Sequence, residues 1–111
     1  MAIYITQGRY TEHAVKGMVD NPEDRAAAVA ALMEAAGGKM LDYYVTLGEY
    51  DFMVIVEGEK LEDLMAALMV AGATGGVTNI KTIQAITTAQ AKTSMEKAHA
   101  IRAGFQAAGG D

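Results

Sequence analysis

The 111-residue sequence predicts an α+β fold: a four-stranded antiparallel sheet with helices on one face, in the order β-α-β-β-α-β, then an extra C-terminal helix. Three observations predict it. Four runs rich in Ile, Val, Thr and Tyr alternate with two stretches whose apolar residues recur at helical spacing. Glycines and an Asn-Pro pair punctuate the boundaries. The third strand run is apolar on both faces, and one layer of helices covers only one face of a sheet.

Taken in order, Ala2–Tyr10 alternates, with Ile3 and Ile5 on one side and Tyr4 and Thr6 on the other. Thr11 can cap a short helical turn through Met18. Asn21-Pro22-Glu23-Asp24 reads as a helix start: Asn21 caps, Pro22 takes the first helical position, and the acids meet the positive end of the dipole. Val29, Leu32, Met33 and Ala36 form the stripe, and Gly37-Gly38 stops it. Lys39–Leu47 is the second strand, Gly48-Glu49 a tight turn, and Asp51–Glu57 the third strand. Leu61, Leu64, Met65, Leu68 and Met69 mark the next helix face, which ends at Gly72, Gly75 and Gly76. Val77–Thr87 is the fourth strand. Thr88–Ala107 is a terminal helix with a thin stripe of Ala91, Met95, Ala98, Ile101 and Phe105, and Gly109-Gly110-Asp111 a frayed tail. This order is the ferredoxin-like, split βαβ arrangement. Residues 1–94 are expected to form the domain and 95–111 a C-terminal extension. The second apolar face of the third strand predicts self-association, with a closed dimer as the simplest product.

Composition narrows function. With 51% hydrophobic and 21% charged residues the chain can bury a core. It has no cysteine, which removes thiolate chemistry. At net charge −5, with nine thinly spread basic residues, no nucleic-acid partner is expected. The longest apolar run, around Leu64–Ala73, is too short for a span, so no membrane partner is expected. Residues 1–10 contain Gln7 and Arg9 and do not read as a signal peptide; the cytoplasm is the expected compartment.

The surroundings of Leu47-Gly48-Glu49-Tyr50-Asp51-Phe52 carry a resemblance. Tyr10-Thr11-Glu12 follows the first strand, Gly37-Gly38-Lys39 precedes the Tyr43-Tyr44-Val45-Thr46-Leu47-Gly48 strand, and a Thr-rich strand runs from Val77 to Thr87. Over about residues 1–97 the chain resembles the GYD-domain family, whose signature is a Gly-x-Tyr-Asp turn between two strands. The extended helix from about Met95 and the high Met and Ala content depart from it. The resemblance implies a ferredoxin-like subunit that pairs into a dimeric α+β barrel, and it implies no particular activity. More distantly, the hairpin is similar to the effector-binding domain of Lrp/AsnC regulators, which implies a stand-alone small-ligand module.

The candidate ligand residues are Tyr4, Arg9, Tyr43, Tyr44, Gly48, Tyr50 and Asp51. Gly48 permits the turn, Tyr50 and Asp51 sit at its tip, and loop tips over rigid sheets often bind ligands. Turn chemistry and strand packing account for the same residue types. Tyr43 and Tyr44 are adjacent in a strand, so at most one lines a barrel interior. His13 and His99 lie in no metal-ligand spacing, and neither a metal nor a cofactor is expected. Glu57, Glu59, Glu62 and Asp63 read as solvated surface. Gly72-x-x-Gly75-Gly76 lacks the lysine of a phosphate loop, and Ser94 is the only serine. The first reading is therefore a non-catalytic homo-oligomeric module that binds a small molecule or a protein. The alternatives are a cofactor-less monooxygenase or isomerase with its site in the barrel, and a structural assembly protein built through the terminal helix.

Overall fold

In the computed structural model, residues 2–110 are described; the expected fraying at Asp111 lies outside them. The elements are β1 (Ala2–Tyr10), α1 (Glu12–Asp20), α2 (Ala26–Ala35), β2 (Lys39–Val45), β3 (Phe52–Gly58), α3 (Leu61–Ala73), β4 (Val77–Ala85) and α4 (Thr88–Ile101), with a short 3₁₀ turn at Arg102–Gly104. One sheet runs β2-β3-β1-β4, every neighbouring pair antiparallel. The predicted α+β order holds, with the first crossover divided into two helices.

Register sorts the two faces. Tyr4 pairs with Val56 and Gln84, and Thr6 with Val54 and Thr82, on the helix-covered side. There Tyr4, Met33, Val54, Val56, Leu64 and Ala67 form the core. Ile5 pairs with Ile55 and Ile83 on the opposite side, where Ile83 is 50% exposed. β3 thus shows the expected double apolar character: Phe52, Val54 and Val56 are buried under helices, while Met53 and Ile55 face the uncovered side. β4 bulges opposite Gly8, where Asn79 adopts φ +53°, a left-handed conformation that asparagine tolerates.

Several boundaries differ from expectation. Thr11 does cap α1, its Oγ1 accepting from the Ala14 N–H. Asn21, however, closes α1 instead of opening α2: its N–H donates to the Gly17 carbonyl at 2.9 Å. α2 begins only at Ala26, whose N–H donates to Asp24 Oδ1 at 2.9 Å. The segment after Pro22 is used to turn the chain. α2 ends as predicted: the N–H of Gly37 (φ +100°) donates to Glu34 and that of Gly38 to Met33, a Schellman closure. β2 stops at Val45, and Thr46–Asp51 form a six-residue loop in place of a tight turn. α3 turns Leu64, Ala67 and Leu68 inward and leaves Leu61, Met65 and Met69 more than half exposed. Alanine at position 67 moves the inward stripe off the methionines.

α4 opens with a capping box, Thr87 Oγ1 accepting from the Gln90 N–H and Gln90 Oε1 from the Thr87 N–H. It ends at Ile101, short of the expected Ala107. It projects from the body. No residue in it is buried, and Met95 and Ile101 are 67% and 63% exposed. The radius of gyration is 18.5 Å, against about 13 Å for a compact chain of this length. Among the described residues no helix is long and apolar enough to cross a membrane.

Candidate functional site

The Thr46–Asp51 loop is held by bonds to backbone atoms. Gly48 supplies φ +128°, which a side chain would strain. Thr46 donates its N–H to the Asp51 carbonyl and its hydroxyl to the Tyr50 carbonyl. Asp51 N–H donates to the Gly8 carbonyl at 2.8 Å, and Arg9 Nε donates to the Glu49 carbonyl at 2.8 Å. β1–β3 pairing ends at Gly8↔Phe52, two residues before β1 does. Asp51 Oδ2 fills that gap by accepting the Tyr10 N–H at 3.0 Å. An Asp51→Ala variant is expected to lose about 1.5–3 kcal/mol of stability in a denaturant titration, and Asp51→Asn, which keeps an acceptor, clearly less. Equal losses for the two would remove the clamp from the account.

Beside the clamp stand three rings. Phe52 lies against the Cβ-less backbone of Gly8. Its ring centroid is 5.1 Å from that of Tyr10 and 6.1 Å from that of Tyr43, stacked on the latter at 21°. The Tyr10 and Tyr43 hydroxyls hydrogen-bond each other. Burial first, and then the hydrogen bond and proximity to Tyr10, raise the Tyr43 phenol well above its ordinary pKa, with Arg25 opposing. A folded-state pKa above the unfolded one favours the native state fully below about pH 10 and progressively less above it. Wild-type stability is therefore expected to fall above pH 10, and Tyr43→Phe to flatten part of that fall in unfolding titrations.

These groups wall a cleft between the helix layer and the sheet. Its inner compartment, about 470 Å³, is lined by Met18, Val29, Leu32, Phe52, Leu68 and Ile80, among others. Small residues make the space: Ala14 and Gly17 on α1, Ala28 on α2 and Ala71 on α3 all face it. Thr6, 1% exposed, lies at the floor with its hydroxyl bonded to Thr82 at 2.8 Å. An outer compartment of about 430 Å³ is lined by Tyr10, Val15, Asp24, Val45, Thr46 and Asp51. Met18, Glu23, Arg25 and Tyr43 border both. The inner volume falls within the ~300–1,000 Å³ typical of ligand sites, and its lining is apolar with few polar groups, as such sites are.

The sequence candidates are distributed as follows. Tyr43 borders both compartments and Asp51 the outer one. Arg9, Gly48 and Tyr50 belong to the clamp, Tyr50 through its carbonyl. Tyr4 is 6% exposed in the core, four pairs along the sheet from Phe52. Tyr44 is 54% exposed and pairs with Met53 on the uncovered face. Tyr10, Met18, Arg25 and Phe52 were not among the candidates. The alternation of β1 carried a signal for Tyr10, since positions 4, 6, 8 and 10 share a face. The β2–β3 register that places Tyr43 next to it is a tertiary fact. His13 borders the cleft, His99 lies exposed on α4, and among the described residues no three His, Cys, Asp or Glu side chains cluster to hold a metal ion.

The family model described as the GYD domain matches residues 4–95. No curated protein matches the chain. Among solved structures, TTHA0845 from Thermus thermophilus is similar with a TM-score of 0.50 at 17% identity, over 78% of this chain and 95% of that one. FFRP-DM1 gives 0.48 at 20% identity over 78% and 100%. The hypothetical protein PHS023 from Pyrococcus horikoshii gives 0.48 at 20% over 78% and 92%. At 17% identity, the likeness to TTHA0845 concerns the fold alone.

Proposed function

The chain belongs to the GYD-domain family, and from that premise we propose that it is a non-catalytic, self-associating module that holds a small apolar molecule between its sheet and its helices. The observation that carries this reading is the 470 Å³ inner compartment, apolar inside and bordered by Arg25 and Tyr43. Self-association draws on the uncovered sheet face. Its central row, Ile55-Ile5-Ile83, is apolar, and Asp42, Gln7, Glu57 and Lys81 flank it. An apolar centre with a polar rim is the anatomy of a protein interface. Two copies meeting there would form a closed pair, and the ligand cleft would remain on the outer side of each sheet.

Native mass spectrometry of protein purified from its own source tests both parts. The expected result is an even-numbered oligomer that retains a small molecule. Ala14→Leu, which pushes a larger side chain into the cleft, is expected to weaken retention of the bound mass sharply while leaving the subunit count unchanged. Ile83→Lys is expected to give monomers. Retention undiminished in Ala14→Leu would refute the cleft as the seat. A second reading, an assembly role, is favoured by α4, which buries no residue and carries Met95 and Ile101 exposed on its surface. Truncation of residues 95–111 with no change in solution mass would refute that one.

A further inference from the structure

We propose that the cleft selects a molecule with an apolar body and one uncharged hydrogen-bond acceptor, such as a ketone, aldehyde or ester, and that the Tyr10–Tyr43 phenol pair is the group that recognises the acceptor. This rests on the cleft being a ligand site.

The argument is a count of protons and partners. Two phenols carry two O–H protons, and the bond between them uses one. Among the described residues, neither hydroxyl has another protein partner. One proton is therefore left to donate, and Tyr43 sits where the two compartments meet.

The charged groups at the same place are already engaged. Arg25 and Glu23 pair with each other at 3.2 Å. Asp24 accepts from the Ala26 N–H and Asp51 from the Tyr10 N–H. A ligand carboxylate would meet three acids and one committed arginine in the outer compartment. A ligand ammonium would find Glu23 and Asp24 exposed to water, where an ion pair gains little. An uncharged acceptor meets no such repulsion, and of the unpartnered donors along the cleft, which include His13 and Asn21 in the inner compartment, the phenol pair is the one that stands where both compartments meet. The inner compartment, with Met18, Leu32, Phe52 and Leu68, takes the apolar body.

The test is a calorimetric titration with three probes of one chain length: 2-octanone, octanoate and octylamine. Wild-type protein is expected to bind 2-octanone most tightly. Either single variant, Tyr10→Phe or Tyr43→Phe, keeps one hydroxyl free to donate and is expected to bind nearly as well. The double variant keeps both rings but no proton, and its affinity for 2-octanone is expected to drop about fivefold. Thermal unfolding of each variant separates loss of binding from loss of fold. Similar affinities for all three probes, unchanged in the double variant but lost in Ala14→Leu, would overturn the phenol pair and keep the cleft. Tightest binding of octanoate or octylamine would overturn the ligand class. Failure of all three probes to bind wild-type protein would overturn the cleft itself, and the ligand class with it.

Discussion

Truncating Phe52 to alanine is expected to remove about 3–5 kcal/mol of folding stability, the largest single loss in this chain. The ring is 6% exposed and stands at the junction of three features. It covers the Gly8 backbone, stacks on Tyr43 and tilts against Tyr10. Its removal takes away the transfer energy of a large apolar group and opens the space beside it into the inner compartment, which Phe52 also lines. Equilibrium urea unfolding measures the loss. A change under about 1 kcal/mol would mean that the neighbouring tyrosines collapse into the gap, and would argue against a rigid aromatic wall.

Gly8→Ala probes the same contact from the other side. A Cβ at that position would lie 2.6 Å from Phe52 Cζ and 2.9 Å from Cε2, closer than carbon atoms approach. Ile80 Cγ1 would lie 3.4 Å from the same Cβ, so the added methyl has little room to shift away from the ring on that side. The expected loss is about 1–3 kcal/mol, with a changed near-ultraviolet dichroism signal from Tyr10 and Tyr43 as the ring re-tilts. Combining Gly8→Ala with Phe52→Leu should cost less than the sum of the two single changes, since the clash disappears with the ring. Simple additivity would show that the glycine is needed for something other than this ring.

The sheet was legible because alternation states it directly: Ile3 and Ile5 against Tyr4 and Thr6, and Met53 and Ile55 against Phe52, Val54 and Val56, fall on the faces the pattern assigns. Gly37-Gly38 was legible because a helix end needs a left-handed residue there. Asn21-Pro22 misled because α1 is two residues longer than expected and claims Asn21 through its backbone N–H, a role that does not depend on the side chain by which asparagine would cap the next helix. Met65 and Met69 misled for a different reason. On helical spacing they join Leu61 as readily as Leu64, and only packing against the sheet shows that Ala67 and Leu68 take the inner side. The cleft was hidden because it is made of what the sequence lacks at Ala14, Gly17, Ala28 and Ala71. Periodicity finds large apolar residues, and a space bordered by small ones leaves no periodic mark. Asp51 was legible as a residue at the hairpin tip, but its bond crosses to Tyr10, 41 positions away, which no local pattern encodes.

α4 has a consequence in time as well as in shape. A fourteen-residue helix with no buried residue relies on its capping box and its own hydrogen bonds, and isolated helices of about 12–15 residues are marginal in water. Its amides should therefore exchange with solvent hydrogen through brief local openings, while those of β3 wait for the whole sheet to come apart. The two exchange clocks are independent, and the gap between them records occupancy. Slower exchange from Met95 to Ile101, with β3 unchanged, would reveal that something has settled on the helix before anyone knows what it is.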